Sequence, residues 1–147
     1  MSNLRPFTED MPMSLHLITR IAAAVAVAAS SAAFLVADLK GDYNVEFVVE
    51  GNAYTGTIKT TPVASAKGQF TGKLELTSPS PITGDAKGKT VGDSLTYDVT
   101  YEDKGRGCTG TLAAKGTLEK DGSKAAGALN INDSCGGPIS GTFRLWR

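Results

Sequence analysis

The chain has 147 residues, enough for one domain, and its 15 basic and 15 acidic side chains cancel to a formal net charge of zero. No basic excess marks it for nucleic acid or an anionic membrane surface. No acidic excess suggests a calcium-loaded repeat.

The first element is not part of a globular fold. Arg20 precedes an unbroken apolar run, Ile21 to Ala29, and the small residues Ser30, Ser31, Ala32 and Ala33 follow. A basic flank, a short apolar stretch and small residues form a helical secretory signal peptide. The run is too short for a bilayer, which takes about 20 apolar residues. Residues 1–12 are largely polar, contain Glu9 and Asp10, and precede a further methionine, Met13, which would start a signal of ordinary length. We assign residues 1–37 to the signal, with cleavage after Ala33 or, preferably, after Ala37, where Asp38, Lys40 and Gly41 open a polar stretch. Cleavage removes His16, the one histidine of the chain. The remaining domain, residues 38–147, is expected to be exported, periplasmic or extracellular.

Eight strand candidates follow, at residues 42–49, 53–60, 68–77, 81–89, 94–102, 108–118, 124–131 and 138–146. Glycine, proline, aspartate and asparagine fill the short gaps between them, as turns require. Gaps this short join antiparallel neighbours, because parallel strands need long crossovers. The predicted fold is all-β, an antiparallel up-and-down barrel of about eight strands.

Period-two alternation sets the faces. Tyr43, Val45, Phe47 and Val49 share one side, as do Leu95, Tyr97, Val99 and Tyr101, while Thr96, Asp98 and Thr100 take the other. Apolar residues are therefore expected inside and charged or hydroxyl residues outside. A membrane barrel would reverse this, with an apolar band facing lipid, so the chain is not expected to span a membrane.

One phrase recurs six times: apolar, small, glycine, any, apolar. It is centred on Gly56, Gly72, Gly84, Gly110, Gly127 and Gly141. Glycine in a strand costs roughly 0.5–1 kcal/mol against alanine, so six would cost about 3–6 kcal/mol. One compensation is curvature, since strands bend where no side chain crowds the concave face. The other is room. Glycines would thin the wall around a cavity lined by Tyr43, Phe47, Tyr54, Phe70, Tyr97, Tyr101 and Phe143, and eight strands can enclose one small ligand.

Cys108 and Cys135 are the two cysteines. An isolated pair in an exported chain reads as a disulfide. It would add roughly 3–4 kcal/mol in the chain-entropy model.

Chemistry is hard to place. A histidine-based triad is excluded after cleavage. Glu46, Glu75, Asp98 and Glu102 alternate outward, and no inward carboxylate pair for acid–base work is evident. Without histidine, and with the cysteines joined, zinc is disfavoured. The Asn130–Asp133 stretch lacks calcium-loop spacing. The Lys104-Gly105-Arg106-Gly107 segment reads as a solvated turn. No enzyme, metal or cofactor is expected.

The strand count and alternation resemble the calycin-type barrels, the lipocalin-like and avidin-like proteins. Gly41-Asp42-Tyr43 is similar to the Gly-x-Trp start of lipocalins, with tyrosine in place of tryptophan. The resemblance implies a barrel that binds a small apolar molecule and transfers no individual binding residue. A tryptophan-lined site is not among its implications, since Trp146 faces outward by parity.

Two functions follow. In the first, the lumen takes a small apolar or amphipathic ligand between the seven aromatics. In the second, the core is packed and the chain binds or inhibits a protein through its end loops, residues 101–108 and 133–138, which the disulfide would tie together.

Overall fold

A computed structural model describes residues 38–147. The signal-peptide assignment and its cleavage sites lie outside these residues.

Eight strands form one closed antiparallel barrel in which each pairs with its sequence neighbours and the last returns to the first. They are β1 (Gly41–Val49), β2 (Asn52–Pro62), β3 (Gln69–Ser78), β4 (Ile82–Val91), β5 (Ser94–Asp103), β6 (Cys108–Leu118), β7 (Lys124–Asp133) and β8 (Gly137–Trp146). No helix occurs among the described residues. The closing seam is short, running from Asn44 opposite Trp146 to Val49 opposite Gly141.

The turns explain the tight meander. Glu50 and Gly51 join β1 to β2 with positive φ at both positions, 50° and 78°. A two-residue turn of this hand matches the twist of the flanking strands.

Alternation sorts the wall as the sequence predicts. Tyr43, Val45, Phe47, Leu74, Leu95, Val99, Leu129 and Phe143 are buried in a single core. The outer wall is charged and hydroxylated. Lys73 pairs with Asp85, and Arg144 pairs with Glu46 at 2.6 Å. Val48 and Val91 are the exposed large hydrophobics among the described residues. The outer wall therefore carries no apolar band of the kind that faces lipid in a membrane barrel.

The glycines serve the wall and not a wide lumen. A Cβ on Gly116 would lie 2.8 Å from Phe143 Cζ, and one on Gly88 would lie 2.6 Å from Tyr97 Cβ and also strike the Phe70 ring. At these two positions aromatic rings, from the adjacent strand at Gly88 and from β8, two strands away, at Gly116, occupy part of the volume that the glycine releases. Elsewhere the backbone itself uses it. At Gly56, where the β2–β3 register shifts, a Cβ would collide with the Glu75 carbonyl. Among the six glycines of the repeated phrase, Gly110 lies under the Tyr101 ring, and at Gly56, Gly127 and Gly141 a Cβ would meet the backbone of the adjacent strand, so close backbone approach and aromatic cover account for most of the phrase.

The meander gives the barrel two different ends. One carries the chain entry at residues 38–40, the β2–β3, β4–β5 and β6–β7 connections and the C-terminus. It is closed. Leu39 is buried, the Tyr43 hydroxyl donates to the Gly122 carbonyl at 2.8 Å, and the Arg147 guanidinium lies 5.2 Å from the Tyr43 ring centre. The other end carries the β1–β2, β3–β4, β5–β6 and β7–β8 connections, and there the lumen opens.

Candidate functional site

At the open end the packing stops short and leaves a cavity of about 110 Å³. Its walls are apolar and come from all eight strands. Phe47, Tyr54, Leu74, Ile82, Tyr101, Leu112, Ile131 and Ile139 contribute, and Glu50, Arg106 and Asp133 stand at the rim.

Strand parity carries two carboxylates into this region. Inward Tyr97, Val99 and Tyr101 place Asp103 inward on the same strand, and inward Leu129 and Ile131 do the same for Asp133. Both are buried. Asp103 accepts from the backbone N–H groups of Gly105 at 3.0 Å and Arg106 at 3.2 Å, from Arg106 Nε at 2.7 Å, and from the Ser80 hydroxyl at 3.3 Å. Asp133 accepts from the Tyr101 hydroxyl at 2.6 Å, from the backbone N–H groups of Cys135 at 2.7 Å and Gly136 at 3.2 Å, and from Arg106 Nη2 at 3.4 Å. The half-exposed Arg106 guanidinium thus bridges two buried carboxylates.

The electrostatics follow from this wiring. Burial works against both carboxylates. For Asp103 the Arg106 hydrogen bonds outweigh it, and for Asp133 the Tyr101 hydroxyl, backbone donors and Arg106 do so, which holds both below the usual carboxylate range. The hydrogen bond to Asp103 raises Arg106. Burial, with Asp133 beside it, pushes the Tyr101 hydroxyl up. At neutral pH this network holds two carboxylates, one guanidinium and the neutral phenol of Tyr101.

A disulfide staples the same end. Cys108 and Cys135 are joined, with Cα atoms 5.8 Å apart, across the loops that carry Arg106 and Asp133. One donor atom each of Cys108, Asp133 and Cys135 lies within 4.8 Å of the others. Both sulfurs are committed to each other and the Asp133 oxygens already take four donors, so the trio offers no free metal ligand.

All seven aromatic candidates point inward, but they do not form one pocket. Phe47, Tyr54 and Tyr101 line the cavity. Tyr43 closes the opposite end, Phe70 covers Gly88, and Tyr97 meets Phe143 edge-on with centroids 5.2 Å apart. These four fill the body of the barrel, which corrects the expectation of a lumen walled by all seven. One further expectation changes: an inward carboxylate pair does exist. The 104–107 segment is the exposed turn expected, and from it Arg106 reaches back to Asp103 and Asp133. Strand parity was the available signal: β5 runs one residue and β7 two residues past the predicted ends, and the last residues reached are Asp103 and Asp133.

Searches of protein-family models and of curated proteins find no match. Solved structures do match in fold. A redesigned β-barrel aligns at TM-score 0.56 and 22% identity over 74% of this chain and 90% of its own. The barrel EF1p2_mFAP2b bound to DFHBI aligns at TM-score 0.58 and 16% identity over 74% and 93%. A further redesigned barrel, mFAP0, bound to DFHBI, aligns at 0.52 and 20% over 74% and 98%. At these identities the likeness establishes the closed-barrel fold.

Proposed function

We propose that this chain is an exported, non-catalytic β-barrel that takes one small apolar or amphipathic molecule into its open end. The observation that carries this reading is the placement of the cavity. Apolar side chains from every strand line it, polar groups gather only at its rim, and the rest of the interior is filled. Ligand sites commonly combine apolar walls with a few placed polar groups. Two barrels of the same fold are bound to DFHBI. The calycin-type resemblance at Gly41-Asp42-Tyr43 points the same way. The disulfide suits an oxidising compartment, periplasmic or extracellular. Neither Asp103 nor Asp133 is poised as a general acid near neutral pH, since both are held ionised by saturated hydrogen bonding.

A second reading rests on a different observation. The disulfide and the Arg106–Asp133 contact lock loops 101–108 and 133–138 together, forming a firm surface for a protein partner.

Native mass spectrometry of protein taken from its own cell envelope separates the two. The expected species is the chain lacking residues 1–37 and carrying one small adduct. A bare barrel with a protein attached would overturn the first reading in favour of the second.

A further inference from the structure

The rim specifies more than apolarity. Every oxygen of Asp103 and Asp133 already accepts at least two hydrogen bonds. A ligand therefore finds no vacant acceptor on either carboxylate. Arg106 is different. Its guanidinium has five N–H donors, and its side-chain bonds use Nε and Nη2 alone. Half of that side chain stays exposed at the cavity rim. Of the Asp103–Arg106–Asp133 network, the polar function left open at the rim is donation, while Glu50 keeps an exposed, solvated carboxylate in the β1–β2 turn.

Charge then narrows the acceptor. Two carboxylates outnumber one guanidinium, and Glu50 adds a third acid at the rim. A second anion brought to Arg106 would sit close to Asp133, a like charge in a partly desolvated place. A cation would meet Arg106 and find the Asp103 and Asp133 lone pairs already taken, with only the solvent-exposed Glu50 left to pair with. A neutral acceptor suffers neither penalty.

Size sets the remainder. The 110 Å³ cavity is smaller than the roughly 150 Å³ engineered cavity that takes up benzene. A single ring would fill it and leave a substituent at the opening, beside Arg106.

We infer that the open end selects a neutral, single-ring-sized apolar molecule bearing one hydrogen-bond acceptor such as a carbonyl, seated ring-inward with the acceptor on Arg106. This inference rests on the proposed lumen-binding function and names its ligand class.

The test uses three probes of matched size, acetophenone, ethylbenzene and benzoate, followed by amide chemical-shift titration of the disulfide-intact barrel. Acetophenone is expected to shift amides around Tyr101, Arg106 and Ile139 and to bind about tenfold more tightly than ethylbenzene, the ratio expected of one hydrogen bond to a charged donor. Benzoate should bind more weakly than acetophenone. Ile139→Phe, which fills the cavity, should abolish binding of acetophenone and ethylbenzene alike while leaving the closed-end amides unmoved. Equal affinity for acetophenone and ethylbenzene would overturn the acceptor inference and leave lumen binding standing, and so would tighter binding of benzoate. Absence of binding by all three probes would overturn both.

Discussion

At the closed end the chain plugs its own lumen. Leu39 and Tyr43 fill it, and one hydroxyl-to-carbonyl bond and the Arg147 guanidinium finish the cover. At the open end no apolar residue plays that part, and Asp103, Asp133 and Arg106 organise the loops instead. Burying ions costs free energy that apolar residues of similar volume would not. What the charged arrangement gives is geometry: saturated carboxylates fix two short loops in place without filling the space beneath them. The contrast assigns stability to the closed end and access to the open one.

The largest test of that assignment compares truncations at the two levels. Phe143→Ala removes the ring that covers Gly116 and meets Tyr97. It should destabilise by about 3–5 kcal/mol in urea denaturation, as large buried aromatics do. Tyr54→Ala, on the half-exposed cavity wall, should cost far less. Equal losses would erase the distinction between a packed body and an open mouth.

Removing the staple comes next. The double variant C108A/C135A should lose roughly 3–4 kcal/mol through the freed chain entropy of the unfolded state. Hydrogen exchange sharpens the comparison. Amides of 103–108 and 133–137 should exchange faster in this variant by local opening, whereas Leu118, whose N–H donates to the Asp93 carbonyl at the closed end, should follow global stability alone. Uniform acceleration would mean that the disulfide organises the whole barrel.

Acid should act on the open end first. Asp103 and Asp133 have depressed folded values. Their contribution is complete above the unfolded carboxylate value, about 4, and is lost as pH falls through the folded values. Melting temperature should therefore hold from neutral pH to about 4 and then drop. D103N/D133N should start lower and lose this part of the drop. Alkali gives the opposite sign. Burial raises Tyr43, Tyr97 and Tyr101, so their contribution is complete below about pH 10 and is lost above it. Phenolate absorbance from these three should appear together with unfolding.

Much of this was legible in the residues, for a physical reason. Side-chain direction in a strand has period two, so a run such as Leu95, Tyr97, Val99, Tyr101 fixes both a strand and its inner face without knowledge of its neighbours. The same rule, carried two residues on, reaches Asp103, and from Leu129 and Ile131 it reaches Asp133. An aspartate just before Lys104-Gly105 or Ser134 carries a turn signal as well, and that signal obscured the parity. The cavity lay beyond such a rule. Whether the lumen is filled depends on which rings cross it. Phe70 over Gly88 and Phe143 over Gly116 are pairings between strands, set by register, and no single segment encodes them. The cysteine pair was accessible because the chain has two cysteines and they are joined to each other.

The smallest expected effect carries the reverse sign and probes the packed body directly. The Tyr97 hydroxyl is buried with no hydrogen-bond partner. An unsatisfied buried hydroxyl carries a desolvation penalty of about 1–3 kcal/mol. Tyr97→Phe deletes the oxygen and keeps the ring, and with it the edge-on contact to Phe143. Part of the penalty should therefore be recovered, giving a gain of about 1 kcal/mol in urea denaturation. Tyr101→Phe removes a hydroxyl of the same kind from the open end, where it donates to Asp133 at 2.6 Å. That change should destabilise. Two identical substitutions on one face of β5, four residues apart, should thus move stability in opposite directions. Loss of stability in both would place a hydrogen-bond partner beside Tyr97 in solution and would show that the body of the barrel, like its mouth, has room for a polar guest.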